Sequence, residues 1–302
     1  MIDRACISLN HRCNLRCTYC YFASKETMKQ ATKSEFSPVE AAEVIKNIVA
    51  YCKKNGLVKF KLGVVGSGEP LLSYEALKAI VNEATQADVL IKLYTITNGV
   101  ALTDEQISFF YANKETIELN FSLDGNELIH NALRQGYQQT MNSILRYEYL
   151  FGEKPRINTT VTRKTLEKKE MLAYFFIKNG FFKINFSIVV DVSDTSLTIN
   201  RNEYEKFLDY CADKGIKMRQ RREEIKRIYD CTKYGRLCGV GHTNIFITKA
   251  GIFPCGRFFG LNDYILAEYN APISRVEMKL NELQSIDDGC CYYDTAVVRC
   301  QK

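Results

Sequence analysis

Two hydrophobic patterns alternate along the first 215 residues of the chain. Short, β-rich apolar runs predict strands, and longer stretches with apolar residues three and four positions apart predict helices. The helices begin at caps such as Ser37-Pro38 and end at glycines such as Gly56. The predicted strands cover 5–9, 57–65, 89–97, 116–123, 156–162 and 182–190. The predicted helices cover 37–55, 73–86, 103–112, a stretch after 125 that ends near 152, 166–179 and 202–214.

Strand and helix follow each other six times with short connections, which predicts a parallel sheet with helices packed outside it. Six units are too few for a closed eight-fold barrel, so we expect an α/β fold with a partial (β/α)6 barrel. After residue 215 the alternation stops, and a β-hairpin with a turn at Gly251 is predicted instead. We therefore expect a barrel domain over 1–215 and a small C-terminal domain over 216–302.

Composition and charge exclude several classes of protein. Of the 302 residues, 46% are hydrophobic and 25% are charged, as in ordinary globular proteins. The net charge of +6 is spread along the chain and does not argue for a nucleic-acid partner. No apolar run approaches the ~20 residues of a membrane span, and the N-terminus lacks a secretory signal. We therefore expect a cytoplasmic protein that binds neither nucleic acid nor membrane.

Twelve cysteines are unusual for a cytoplasmic chain, because structural disulfides are disfavoured in that compartment. Three of them, Cys13, Cys17 and Cys20, form a C-x3-C-x2-C pattern after the first predicted strand. A loop of this kind can wrap three thiolates around one metal centre. A cubane of four irons normally takes four cysteines, so three would leave one iron open for a ligand. A zinc site made of these thiolates and His11 is the alternative.

Polar residues stand at the ends of the later strands, where active sites of such folds lie. Glycines in the turn after the second strand allow the backbone to approach a ligand, and a carboxylate there suits an ammonium group. The candidates are Gly66, Ser67, Gly68, Glu69, Asn98 and Asp191. The last of these, Asp191, is the candidate catalytic base, with a structural or solvent-facing role as the alternative.

These motifs resemble those of the radical SAM superfamily, whose signature is the C-x3-C-x2-C spacing with an aromatic residue, here Tyr19, before the last cysteine. The stretch 66–70 is similar to the family's Gly-Gly-Glu-Pro motif, with Ser67 in place of a glycine. The resemblance implies a 4Fe–4S cluster whose open iron binds S-adenosylmethionine (SAM), and an electron donor such as flavodoxin or ferredoxin. It also implies SAM contacts for Tyr19 and for the strand-end candidates other than Asp191. The resemblance adds Ser122, Asp124 and Arg134, and an arginine fork matches the carboxylate of SAM.

A second group of cysteines lies in the last quarter of the chain. A hairpin flanked by Cys238 and by Pro254-Cys255 resembles the start of the SPASM/Twitch extension, which holds auxiliary iron–sulfur clusters. The C-x2-C-x5-C-x3-C run of a full SPASM domain is missing, so the resemblance implies one auxiliary cluster. Its implied ligands are Cys238, Cys255, Cys291 and Cys300, with Cys290 and Cys231 as alternates. A zinc knuckle with four thiolate ligands is the other interpretation.

The resemblance implies a radical enzyme that abstracts hydrogen from a substrate carbon. The stretch His130–Arg134 is similar to one in peptide-modifying maturases and anaerobic sulfatase-maturating enzymes. We therefore expect a peptide or protein substrate that is crosslinked, given a thioether, epimerised or oxidised. Two alternatives stay open, namely a Twitch-type dehydrogenase of a small molecule and a non-catalytic iron–sulfur or zinc protein.

Overall fold

The computed structural model describes residues 1–23, 34–218, 240 and 243–283. Within these residues one sheet has the strand order β6-β5-β4-β3-β2-β1-β7-β8. Strands β1 to β6 pair in parallel with their sequence neighbours, as the alternating pattern predicts. The strands are β1 Arg4–Ile7, β2 Lys59–Val64, β3 Leu90–Thr97, β4 Ile117–Ser122, β5 Arg156–Val161, β6 Ile184–Ile188, β7 Asn244–Thr248 and β8 Gly251–Phe253.

Helices connect the parallel strands. They are α1 Pro38–Lys54, α2 Tyr74–Thr85, α3 Asp104–Ala112, α4 Glu127–Leu133, α5 Tyr137–Phe151, α6 Arg163–Glu167, α7 Lys169–Lys178, α8 Arg201–Asp213 and α9 Ile273–Leu283. The single helix expected up to residue 152 is two helices, because Gln135 and Gly136 have left-handed φ angles of 72° and 77°. The helix expected over 166–179 is likewise divided, at Lys168.

The two faces of the strands have different chemistry. In β2, Phe60 and Leu62 are fully buried, while Lys59 and Lys61 on the other face are exposed. The same alternation runs along β3, where the residues between the buried positions are only half-buried. Each fully buried apolar side chain contributes roughly 1.5–3 kcal/mol. The dry core therefore lies between the strands and the helices, and the inner face of the open barrel is left for polar groups and cavities.

The predicted C-terminal hairpin is present as β7 and β8. Strand β7 pairs in parallel with β1, so that Cys6 lies beside Phe246 and Ile7 beside Ile247. The hairpin therefore extends the barrel sheet beyond its first strand, and the residues on both sides of position 216 share one sheet. The domain boundary at that position stays a prediction. In the part of the chain that the structure describes, no helix has the length and apolar character to cross a membrane.

Two glycines with the same left-handed backbone provide a test of this packing. We expect Gly152→Ala to lower the free energy of unfolding by about 1–2 kcal/mol, because alanine is strained at φ 70° but meets no atom within 4 Å. Gly136→Ala should lower it by about 1–3 kcal/mol more, because its methyl group would overlap the side chain of Val100. Urea unfolding of both variants measures the difference, and equal losses would contradict the close packing of Gly136 against Val100.

Candidate functional site

A cavity of about 770 Å³ opens at the C-terminal ends of the parallel strands. The cysteine loop forms one wall, and the ends of β2 to β6 form the others. Among the predicted site residues, those lining the cavity are Cys13, Cys17, Tyr19, Cys20, Gly66, Ser67, Gly68, Glu69, Asn98, Ser122 and Arg134. The structure therefore brings the cysteine pattern and the strand-end residues to one place, as the barrel predicts.

The cysteine loop is fastened to two neighbouring elements. Asn98, at the end of β3, donates through Nδ2 to Asn14 Oδ1 at 2.7 Å, and the same nitrogen lies 3.9 Å from Cys13 Sγ. Thr18 donates its backbone N–H to the carbonyl oxygen of Leu133 at 2.8 Å. Asn98 was predicted to contact SAM, and in this structure its amide holds the loop that carries the cysteines.

The buried thiols favour a positively charged partner. Burial raises the pKa of the Cys13 thiol and raises the pKa of Cys17 to about 11, so both thiols stay protonated at neutral pH without a cation. The charges of the neighbouring thiols act in the same direction. Metal ligands must be thiolates, and a bound metal deprotonates them. The donor set therefore fits an iron–sulfur cluster that three cysteines would hold, with one iron left for a ligand.

A single zinc ion fits this loop less well. Zinc needs four ligands at about 2.0–2.3 Å around one point. Within the described residues, no three Cys, His, Asp or Glu side chains are grouped closely enough to hold one ion. A cubane differs, because each thiolate binds its own iron. His11, the fourth ligand of the zinc alternative, hydrogen-bonds through Nδ1 to Ser67 Oγ and stacks on Phe259 at 4.6 Å.

The glycines after β2 serve packing between loops. A Cβ atom at Gly66 would overlap the side chain of Ser8, and one at Gly68 would overlap Asn10. Both glycines therefore let the turn after β2 lie directly on the segment after β1. Ser67, the departure from the family motif, contacts Ser8, with 2.9 Å between the two hydroxyl oxygens. The serine thus joins the same two segments.

Glu69 is a buried carboxylate with three protein donors. Its oxygens accept from Thr97 Oγ1 at 2.8 Å, from the Asn98 backbone N–H at 2.8 Å and from the Leu71 backbone N–H at 3.3 Å. Burial raises the pKa of Glu69 above its ordinary value. Two carboxylate oxygens offer about four acceptor positions, so the group can still bind an ammonium. Such a cation would stabilise the ionised form.

Tyr19, Asp124 and Arg134 form one buried network. Tyr19 donates its hydroxyl to Asp124 Oδ2 at 2.5 Å, and Arg134 donates Nε to the same oxygen at 3.2 Å. Arg134 Nη2 also donates to the Tyr19 oxygen at 2.5 Å. Burial raises the pKa of Tyr19 well above its ordinary value, so the phenol keeps its proton. The guanidinium has five N–H groups, and these contacts leave others for a carboxylate in the cavity.

His130 supports this network through the backbone of Asp124. Its Nδ1 accepts the backbone N–H of Asp124 at 3.3 Å, and its Nε2 lies 3.0 Å from the carbonyl oxygen of Gln135. Burial lowers the pKa of His130 to about 4, so the ring is neutral and can accept at one nitrogen while it donates at the other. The ring is a brace between the end of β4 and the turn after α4.

Asp191 is not among the residues that line the cysteine cavity, although Val190, directly before it, is. Both of its carboxylate oxygens accept from Arg257, at 2.6 and 2.7 Å, and Arg257 is buried. Asp191 also has a left-handed φ of 51°. The role of catalytic base stays a prediction for Asp191. Its bidentate ion pair favours instead a link between the end of β6 and the segment after β8.

Cys255 lies next to the cysteine loop. It packs with Cys20 on one small apolar cluster formed by Phe22, Val240, Phe246, Phe253, Phe258 and Phe259. A Cβ atom at Gly256 would come within 3.3 Å of the Phe22 ring, so the two loops touch closely. The other predicted ligands of an auxiliary cluster lie outside the described residues, namely Cys231, Cys238, Cys290, Cys291 and Cys300.

Sequence reasoning missed Asn14, Phe22, Arg257 and Phe259. Asn14 stands inside the cysteine pattern, but spacing does not show what an asparagine side chain will meet. The pair Asp191–Arg257 joins residues 66 positions apart and has no local signal. Phe22 and Phe259 could have been suspected, since each follows a cysteine by two to four positions and large apolar residues seldom stay exposed.

Comparison with known proteins places this site in a family. A model of the Radical SAM superfamily matches residues 7–148. The chain is similar to GTP 3′,8-cyclase of Aquifex aeolicus, with 26% identity over 204 residues (66% of this chain, 59% of that protein). It is similar to a cysteine-type anaerobic sulfatase-maturating enzyme of Clostridium novyi, with 24% identity over 222 residues (67% and 56%). It is also similar to the antilisterial bacteriocin subtilosin biosynthesis protein AlbA of Bacillus subtilis, with 24% identity over 268 residues (84% and 55%). The chain thus spans little more than half the length of these relatives.

Solved structures show the same fold. Native anSMEcpe with bound AdoMet and Cp18Cys peptide superposes with a TM-score of 0.73 at 16% identity (96% of this chain, 86% of that chain). Streptococcus suis SuiB bound to precursor peptide SuiA superposes with a TM-score of 0.68 at 17% identity (97% and 70%). These likenesses confirm the α/β fold with a mainly parallel sheet. The family match, rather than this likeness of fold, shows a radical SAM domain over residues 7–148, and the chain is a radical SAM enzyme.

Proposed function

We propose that this enzyme cleaves SAM reductively and abstracts a hydrogen atom from a carbon of a ribosomally made peptide, as one step in modifying that peptide. One observation carries the proposal. Three cysteine thiols, the buried carboxylate of Glu69 and the guanidinium of Arg134 line the same cavity at the C-terminal ends of the strands. This is the set of groups that a cluster with one open iron and a zwitterionic methionine group would need.

The protein's own part in this chemistry is to hold charges in place. The cluster and SAM, when bound, supply a 5′-deoxyadenosyl radical after one electron arrives from a flavodoxin- or ferredoxin-like donor, and methionine is released. Glu69 would accept a hydrogen bond from the amino group of SAM, and Arg134 would donate to its carboxylate. Both side chains are already held by protein partners, so little rotamer entropy is lost when SAM binds.

The far wall of the cavity suits a peptide. Asn158, Thr160 and Ser187 line it, and all three carry groups that can hydrogen-bond to a peptide backbone. Within the described residues, Nδ2 of Asn158 is buried and has no hydrogen-bond partner. A buried donor of this kind gains a bond when a carbonyl oxygen enters. Two structural neighbours hold a peptide, and two curated relatives are named for maturation or bacteriocin biosynthesis.

A small-molecule substrate is the second candidate, because GTP 3′,8-cyclase is also similar to this chain. The two candidates differ in where the abstracted hydrogen comes from. The first step is to search the reading frames beside its gene for a short precursor peptide. Incubation of the reduced enzyme and SAM with that peptide in deuterated form should transfer deuterium into 5′-deoxyadenosine. Transfer from a deuterated nucleotide instead, with none from the peptide, would favour the second candidate.

The radical step depends on the cysteine loop. We expect Cys17→Ala to lose one 4Fe–4S cluster and all formation of 5′-deoxyadenosine, because two thiolates would leave the cubane under-coordinated. Cys52→Ala is the matched control, since Cys52 is a fully buried thiol of α1 that lies away from the cavity. Iron and sulfide content and nucleoside formation measure the effect. Equal loss in both variants, or none in Cys17→Ala, would contradict the assignment.

The Tyr19 hydroxyl orients Arg134. We expect Tyr19→Phe to weaken SAM binding by about 1–2 kcal/mol, roughly five- to thirtyfold, because a hydrogen bond to a charged group is lost while the ring remains. Tyr149→Phe is the control, since Tyr149 is 92% exposed. Equilibrium binding of SAM to the cluster-loaded proteins measures both constants. An unchanged constant for Tyr19→Phe would remove the tyrosine from the SAM site.

We propose further that Cys255 is a ligand of one auxiliary cluster, together with Cys238, Cys291 and Cys300. Its position on the same apolar cluster as Cys20 supports a role in accepting the electron left on the product or in binding a substrate thiolate. We expect Cys255→Ala to reduce the iron content, to keep the cleavage of SAM and to lose the peptide product. Cys211→Ala, which removes another buried thiol, should change none of the three. Product formation without the second cluster would exclude both roles.

A further inference from the structure

A second cavity, of about 600 Å³, opens at the opposite, N-terminal end of the parallel strands. Among the described residues, it shares no lining residue with the cysteine cavity. Seven basic and three acidic side chains line it, which leaves an excess of four positive charges. Neither the cysteine pattern nor the strand-end motifs account for it.

Two lysines face each other on neighbouring strands in this cavity. Lys61 of β2 is in register with Lys92 of β3, and Lys59 lies on the same face two residues before Lys61. Like charges directly opposite each other destabilise a sheet. The inner face of a barrel is normally filled by branched apolar side chains. Here the apolar residues of β2, Phe60 and Leu62, are buried on the outer face, and lysines occupy the inner face. Lys61 lies over the Tyr94 ring, 5.1 Å from its centre, which offsets part of this cost. A remaining local cost of this kind is expected where function requires it.

Protein carboxylates neutralise only part of this charge. Glu118 pairs with Arg156 at 2.9 Å, and Glu153 pairs with Lys183 at 2.7 Å. Glu148, which lies outside the lining, pairs with Lys154 at 2.6 Å. Lys92 donates to a backbone carbonyl oxygen at 2.8 Å rather than to a carboxylate. With Glu148 counted, an excess of three positive charges stays around the cavity.

A single layer of side chains separates this cavity from the cysteine cavity. Tyr94 lines the basic cavity, and Ile96, the next inward residue of β3, lines the other. The Tyr94 ring fills the space that a Cβ atom of Gly63 would need, and its hydroxyl oxygen lies 3.6 Å from Cys6 Sγ. The ring therefore closes the floor of the barrel, and a ligand below it would not compete with SAM.

We propose that the basic cavity binds a small molecule that carries two or more negative charges as phosphate or carboxylate groups. Its volume lies within the range of about 300–1,000 Å³ that is usual for ligand sites. Lysine and arginine form strong charge-assisted hydrogen bonds with both kinds of anion. Bound anion would also remove the repulsion between Lys61 and Lys92. The site is independent of the proposed activity, because it lies at the other end of the strands.

Isothermal titration of the full chain with its clusters loaded, under anaerobic conditions and at constant ionic strength, tests the site. The probes are fructose 1,6-bisphosphate and tricarballylate, which separate a phosphate from a polycarboxylate ligand. We expect saturable binding of at least one probe. Lys61→Ala/Lys92→Ala should weaken it at least tenfold. Lys46→Ala/Lys164→Ala, which removes the same charge from the helical surface, should leave it unchanged.

Cluster absorbance and thermal unfolding show whether each variant is folded and loaded. Without probe, Lys61→Ala/Lys92→Ala should unfold near the temperature of the unaltered protein, because relief of two facing like charges offsets the lost Lys92 hydrogen bond and Lys61–Tyr94 contact. If that variant fails to fold, Lys61→Gln keeps most of the stem and should still weaken binding. No saturable binding of either probe would overturn the proposal. Binding that is equally strong in the cavity variant and in the helical control would overturn it as well.

Discussion

The buried carboxylate of Asp124 is the group on which the cysteine site depends. Its Oδ2 accepts from Tyr19 and Arg134, and its Oδ1 accepts the backbone N–H of Thr160 at 2.9 Å. Tyr19 lies within the cysteine pattern, Thr160 in β5, and Asp124 itself just after β4. One charge therefore joins segments up to 105 residues apart. A buried charge that loses its partner costs about 3–5 kcal/mol, so the loop, the two strands and the helix that ends at Arg134 have to form together.

Glu69 likewise joins separate segments of the chain, at the other side of the cavity. It ties the turn after β2 to the end of β3 through Thr97 and Asn98. Asn98 in turn holds Asn14 in the cysteine loop. Both acidic groups are therefore satisfied by the protein before any ligand arrives, which makes the site rigid. A rigid site favours a ligand whose positive and negative groups lie at fixed positions, because little of the binding free energy is used to order side chains.

A structural feature could be predicted from the sequence where it depends on residues that are close together along the chain. The six parallel strands and their polar ends were predictable, since apolar runs and glycines such as Gly56 are local signals. The pairing of β7 with β1 was not, because the two strands are about 240 residues apart and periodicity does not record partners. The alternation from Lys59 to Leu62 predicted a strand, but which face points into the barrel is decided by closure of the sheet.

The pairing of β7 with β1 has a consequence for the chemistry. Because Cys6 lies beside Phe246, the hairpin brings Cys255 and the rings around it against the cysteine loop. Phe22 and Phe259 belong to the apolar cluster on which Cys20 and Cys255 both pack, and Phe22 lines the cavity. In the proposed reaction, a radical intermediate would need protection from water, and the electron left on the product would need a nearby acceptor. The same strand pairing would meet both requirements, so a change that weakens β7 should affect the product more than the cleavage of SAM.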